Sequence, residues 1–152
     1  MTDDGANRPV ILVISDDPEM ARLISLNLRR RGFAVEQADL LRTRSDRWTP
    51  VRPRPDLIIL NLENPERISP TEIQDLSARP WARAIPFILV AESPPLWQAL
   101  ANLRARVTVM RGTDMGAILS AARALLQKPP PSSPLSPAII LPGEVTDGPR
   151  PE

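Results

Sequence analysis

The 152-residue sequence contains no cysteine and no histidine. Without cysteine there is no disulfide framework and no thiolate chemistry, and without histidine there is no imidazole to act as general base, phosphate carrier or metal ligand. Any metal would have to be held by oxygen alone. No apolar run approaches the ~18 residues needed to cross a bilayer. The polar start Met1-Thr2-Asp3-Asp4 lacks the basic and apolar regions of a signal peptide, so the expected location is cytoplasmic, with no membrane partner. A global electrostatic field is missing too. The formal charge of +1 gives no general attraction to nucleic acid or to an anionic membrane.

What the chain does have is arginine and proline. Between Arg29 and Arg54, eight arginines face only Glu36, Asp39 and Asp46, and lysine is almost wholly replaced by arginine throughout. The bias reads as codon composition, and the segment as a solvated face; a phosphate-binding stripe is the alternative. That alternative lacks the interleaved aromatics of a single-strand binder, Trp48 excepted, and no appended DNA-binding domain is visible. The length suits one domain of ordinary size with an extension.

Val10-Ile11-Leu12-Val13-Ile14 is a continuous apolar, mostly β-branched run of the kind expected for a strand buried on both faces, and Ser15-Asp16-Asp17-Pro18 follows it. Pro18 suits a first helical turn and an acid before it can cap. Met20, Leu23, Ile24 and Leu28 then recur at helical spacing until Arg31-Gly32 ends the pattern. Ala34 to Gln37 is a short second strand, and Asp39 to Trp48 has modest helical character. Pro50, Pro53 and Pro55 impose an extended entry to a third strand, Leu57-Ile58-Ile59-Leu60-Asn61. Ser69-Pro70-Thr71-Glu72 reads as a capping box opening a helix to about Arg79. Ile85 to Val90 is a fourth strand, Ser93-Pro94 opens a helix carrying Leu96, Leu100 and Leu103, and Val107 to Met110 is a fifth strand. The last helix runs from about Thr113 to Gln127.

Five strands alternating with five helices predict a five-stranded parallel sheet covered on both faces, a flavodoxin-like (βα)5 three-layer sandwich. The expected folded domain spans residues 9–128. Beyond it, eight of the last 24 residues are proline, so 129–152 is expected to be a proline-rich, disordered tail. Within it, Pro131-Ser132-Ser133-Pro134 and Pro134-Leu135-Ser136-Pro137 have the spacing of a polyproline ligand, and Ile139-Ile140-Leu141 could add to a sheet edge.

The string Pro55-Asp56-Leu57-Ile58-Ile59-Leu60-Asn61-Leu62-Glu63-Asn64-Pro65 resembles the third strand of response-regulator receiver domains, and the order and spacing of elements resembles that family over about residues 9 to 128. The resemblance implies a pocket at the carboxyl edge of the sheet. There the family places an acidic pair that holds Mg²⁺, an aspartate that accepts a phosphoryl group, a hydroxyl that senses it and a lysine that neutralises it. Matched residue by residue, Ser15 and Asp16 take the acidic pair, Asn61 the acceptor, Ala91 the hydroxyl and Arg111 the lysine. Gly112 replaces the proline after that lysine, and Thr108 stands where an aromatic switch residue is common. A neutral amide is a poor nucleophile and brings no charge to a divalent cation. No cofactor is therefore expected, with Asp16 and Asp17 keeping weak Mg²⁺ binding at most. Arg111 is expected to hydrogen-bond Asp16 or Asn61 permanently. Plainer roles stand beside these: Asp16 and Asp17 as helix caps, Asn61 as a satisfied polar residue at a strand end, Arg111 as a surface residue.

The resemblance implies a signalling and interaction module: a single-domain response regulator of pseudo-receiver type, working in two-component or phosphorelay signalling without phosphorylation. It catalyses nothing. The implied partner is a protein, a histidine kinase or another signalling protein, with a homodimer left open. The implied partner face carries Trp97, Arg104, Arg106 and Thr108. Trp97 suits an interface anchor and a core position alike. The alternatives are an active receiver that keeps Mg²⁺ and uses an unorthodox acceptor such as Asp16 or Asp17, and a nucleic-acid-binding protein using Arg29 to Arg54. A flavodoxin-type enzyme is disfavoured, since acids follow the first strand where a phosphate loop would need glycine or hydroxyl residues.

Overall fold

A computed structural model describes residues 8–45, 47–51, 54–101, 107–112 and 114–127. The expected tail over 129–152 lies outside them. Strand β1 (Val10–Ser15) leads through Asp16 and Asp17 into helix α1 (Pro18–Arg30). The Asp17 carboxylate accepts from the backbone N–H groups of Glu19 at 3.0 Å and Met20 at 3.4 Å, satisfying donors that a helix start leaves unpaired. At the other end Gly32 adopts φ +96°, and the N–H groups of Gly32 and Phe33 donate to Arg29 O and Leu28 O. A left-handed residue of this kind closes a helix cheaply only when it has no Cβ.

Strand β2 (Ala34–Asp39) follows, then a single helical turn, α2 (Leu40–Thr43). This turn is shorter than the Asp39–Trp48 segment predicted to be helical. The Arg79 guanidinium donates to the carbonyls of Thr43 at 3.0 Å, Ser45 at 3.1 Å and Arg44 at 3.2 Å, taking acceptors a longer helix would need. The remaining elements are β3 (Leu57–Asn61), α3 (Pro70–Ser77), β4 (Phe87–Val90), α4 (Pro94–Ala101), β5 (Val107–Met110) and α5 (Met115–Gln127), with a 3-10 turn at Pro65–Arg67. The capping box of α3 is present: Ser69 Oγ accepts from Glu72 N–H while the Glu72 carboxylate accepts from Ser69 N–H. Strand β4 begins at Phe87 rather than Ile85, because Pro86 has no N–H to add to the ladder. Asp114 precedes the first turn of α5 and accepts from Ala117 N–H at 3.1 Å.

All pairings are parallel and the strand order is β2-β1-β3-β4-β5. Alternation along the strands splits the core in two. Ile11, Val13, Leu57, Ile59, Ile88 and Met110 face α1 and α5, where Ile24, Leu28, Ile118 and Ala122 cover them. Leu12, Ile14, Ile58, Leu60, Phe87, Leu89 and Val109 face the other layer, with Leu40, Ile73, Leu76, Trp81 and Leu96. Continuous apolar strands are what two covered faces require. This is the five-stranded flavodoxin-like sandwich expected. Parallel register brings the ends of β1, β3, β4 and β5 to one carboxyl edge, with Ser15 opposite Asn61, Asn61 opposite Val90 and Val90 opposite Met110. Among the described residues no helix is long and apolar enough to cross a membrane.

Candidate functional site

Asn61, the last residue of β3, is fully buried, and Ser15, the last of β1, is 1% exposed. The Asn61 side-chain Nδ2 donates to Ser15 Oγ at 3.0 Å and to Glu63 Oε2 at 3.2 Å. Turning the amide over would set its oxygen against the Glu63 carboxylate, so the network itself decides which end is nitrogen. Ser15 Oγ in turn donates to Asp17 O at 3.1 Å and accepts from Asp17 N–H at 3.0 Å. The serine thereby links the amide to the start of α1.

Asp16 reaches across to the loop after β3, where its carboxylate accepts from Glu63 N–H at 2.7 Å and Asn64 N–H at 2.8 Å. Its own N–H donates to Asn61 O at 3.3 Å. Charge-assisted bonds of this length are among the stronger ones in a protein, each worth about 1.5–3 kcal/mol. Asp16 is thus a clamp on the neighbouring loop, while Asp17 is the cap of α1.

Residues expected at a Mg²⁺ site do not fit that ion. Mg²⁺ takes near-octahedral oxygen coordination at short range. Here Ser15 supplies a hydroxyl where a carboxylate would stand, Asn61 presents its nitrogen, Asp17 is turned to the helix, and Asp16 is committed to two amides. Among the described residues no group of three or more acidic side chains is gathered closely enough to hold a metal.

Arg111 departs from expectation. Its guanidinium is engaged elsewhere: its Nε lies 3.7 Å from Glu92 Oε2 and it sits 5.7 Å from the centre of the Trp97 ring, with the side chain 59% exposed. The physical reason is competition: Asp16 already has two donors, whereas Glu92 and the Trp97 face offer a carboxylate and a π-surface near the end of β5. Trp97 is half-buried, and its Nε1–H donates to Ala91 O at 2.7 Å, while Ala91 N–H donates to Met110 O at 3.0 Å. Ala91 is buried. Thr108 is 4% exposed and is opposite Ile88 in the register, so it shares the sheet face of Met110 under α5 and does not stand on the α4 side with Trp97. Arg104 and Arg106 lie outside the described residues.

Two participants escaped the sequence reading. Glu63 is two residues past Asn61, just beyond the end of β3, and strand alternation carried on by two residues was the available signal. The Trp97–Ala91 bond had only a weak one, the indole's need of an acceptor when partly buried.

The chain has the fold of response-regulator receiver domains. Over 78% of this chain and 99% of the other, it superposes with a TM-score of 0.58 on a CheY-like response regulator from Mesorhizobium loti, at 18% identity. A signal receiver domain of a signal transduction histidine kinase from Syntrophus aciditrophicus matches with TM-score 0.56 and 24% identity, over 84% of this chain and 98% of that one. A response regulator receiver protein from Pseudomonas putida gives 0.55 and 21%, over 77% and 97%. No family model matches the sequence, and no curated protein does.

Proposed function

We propose that this chain is a receiver-type signalling and interaction module over residues 9–128 that acts without phosphorylation and catalyses no reaction. The observation that carries this reading is the buried Asn61 amide, whose nitrogen is held between Ser15 Oγ and the Glu63 carboxylate. An amide lacks the nucleophilic oxygen pair of a carboxylate, and the Glu63 carboxylate beside it repels an incoming phosphoryl donor. Ser15, Asp16, Asn61 and Ala91 then stand at the carboxyl edge without a reactive centre, and Arg111 is engaged by Glu92 and Trp97 instead. In place of a phosphate-dependent contact, permanent ones hold the edge: Asp16 on the loop after β3 and Trp97 on Ala91 O.

The partner in this reading is a protein, a histidine kinase or another signalling protein, engaged on the α4 side at Trp97 together with Arg104 and Arg106. The test is incubation of the whole chain with acetyl phosphate and Mg²⁺, followed by intact-mass measurement and amide spectra with beryllofluoride. Unchanged mass and an unmoved spectrum are the expected result. A phosphoryl adduct, on Asp16, Asp17 or elsewhere, would overturn it.

A further inference from the structure

Trp81 and Trp48 cross edge-on, 5.2 Å between ring centres at 74°, and together with Thr49, Pro50, Arg54 and Pro80 they line an open groove of about 480 Å³. It lies on the sheet face opposite α1 and α5, since Trp81 belongs to the other half of the core. The three tryptophans of the chain are not equivalent. Trp97 has an acceptor for its indole N–H, whereas Trp81, 7% exposed, buries Nε1 with none. A buried unpaired donor of this kind costs about 1–3 kcal/mol, which an incoming carbonyl would relieve.

Tryptophan and proline rings at a groove, with an indole N–H wanting an acceptor, suit one ligand chemistry: a proline-rich strand in polyproline II conformation. Such a strand has no internal hydrogen bonds, exposes its carbonyls and loses little entropy on docking. The chain contains such a segment, with Pro131, Pro134 and Pro137 three residues apart. Its starting point is favourable. Helix α5 begins after the carboxyl end of β5 and packs under the sheet, so its last residue, Gln127, delivers the chain toward the amino edge. The groove is at that same edge, on the connections that lead into β3 and β4. At ~3.1 Å per residue, Pro134 to Pro137 lie within about 22–31 Å of Gln127. Passing beneath the sheet from one helix layer to the other spans about 20 Å, two helix diameters.

We propose that the Pro134–Pro137 segment of this chain docks in the Trp48–Trp81 groove, with Trp48 turning to admit a segment carbonyl to the Trp81 N–H. This is independent of what happens at Asn61. The test is the ¹H–¹⁵N spectrum of the full chain, whose three indole cross-peaks are assigned with Trp48→Phe and Trp97→Phe variants. Replacing Pro134 and Pro137 together by alanine is expected to move the Trp48 and Trp81 indole peaks by more than a linewidth and leave Trp97 in place. In a Trp48→Ala background the same replacement should no longer move the Trp81 peak. Three stationary peaks would overturn the proposal, as would equal movement of all three, which reports a general change in packing. A difference that disappears on dilution would also overturn it, by seating the segment of a second copy in the groove.

Discussion

The two ends of the sheet are finished differently. At the carboxyl edge, where the fold places chemistry, Ser15, Asp16, Asn61 and Glu63 satisfy one another and the adjoining backbone. At the amino edge, in the connection between α3 and β4, Trp81 leaves a donor unpaired and the exposed Ala84 is held at φ +67°, a left-handed conformation that costs a residue with a Cβ roughly 1–2 kcal/mol. The edge that resembles a reactive site is closed on itself, and the edge without a motif retains unspent interactions. Likeness of outline is therefore a poor guide to where this molecule can still bind.

The sharpest way to break the comparison is Asn61→Asp. In the family's pattern this restores the acceptor; in this network it buries a charge 3.2 Å from the Glu63 carboxylate and removes both donors of the amide. Urea unfolding is expected to show a loss of about 3 kcal/mol, since burying an unpaired charge costs more than the ~1–3 kcal/mol of a neutral polar group. Adding Glu63→Gln should recover part of it, because the new amide can donate to Asp at position 61. An Asn61→Asp protein as stable as the parent would show that the edge is not closed.

A smaller effect separates the tryptophans. Trp97→Phe removes the 2.7 Å bond to Ala91 O and leaves a smaller, weaker π-face beneath Arg111, for an expected loss of about 1 kcal/mol. In a Pro134→Ala/Pro137→Ala background, where no segment carbonyl reaches the indole, Trp81→Phe gives up no hydrogen bond and discards a buried unpaired N–H, so its loss of packing is partly offset and the unfolding midpoint should fall less than for Trp97→Phe in the same background. The reverse order would contradict the contrast between the two edges. The smallest effect is a gain: Ala84→Gly relieves the left-handed strain and should stabilise the chain by about 0.5–1 kcal/mol, read as a higher urea midpoint.

Much of the architecture was legible because it depends on local pattern. The buried strands are continuous apolar runs, Gly32 marks the end of α1, and the Ser69–Glu72 spacing is that of the capping box found. What was not legible is carried by contacts distant in sequence. Arg79 shortens α2 from 34 to 36 residues away, a reach that no helical propensity encodes. The candidate site divides in the same way. Asn61 and Ser15 could be placed side by side from strand register, whereas the direction of Arg111 depended on which of several acceptors was already occupied.

The Asp16 clamp also bears on how such a molecule could be controlled. One carboxylate ties the loop after β3 to the start of α1, so a partner reading that corner meets the same surface at every encounter. Occupancy of such a partner would then be a matter of mass action, set by affinity and by the number of copies present.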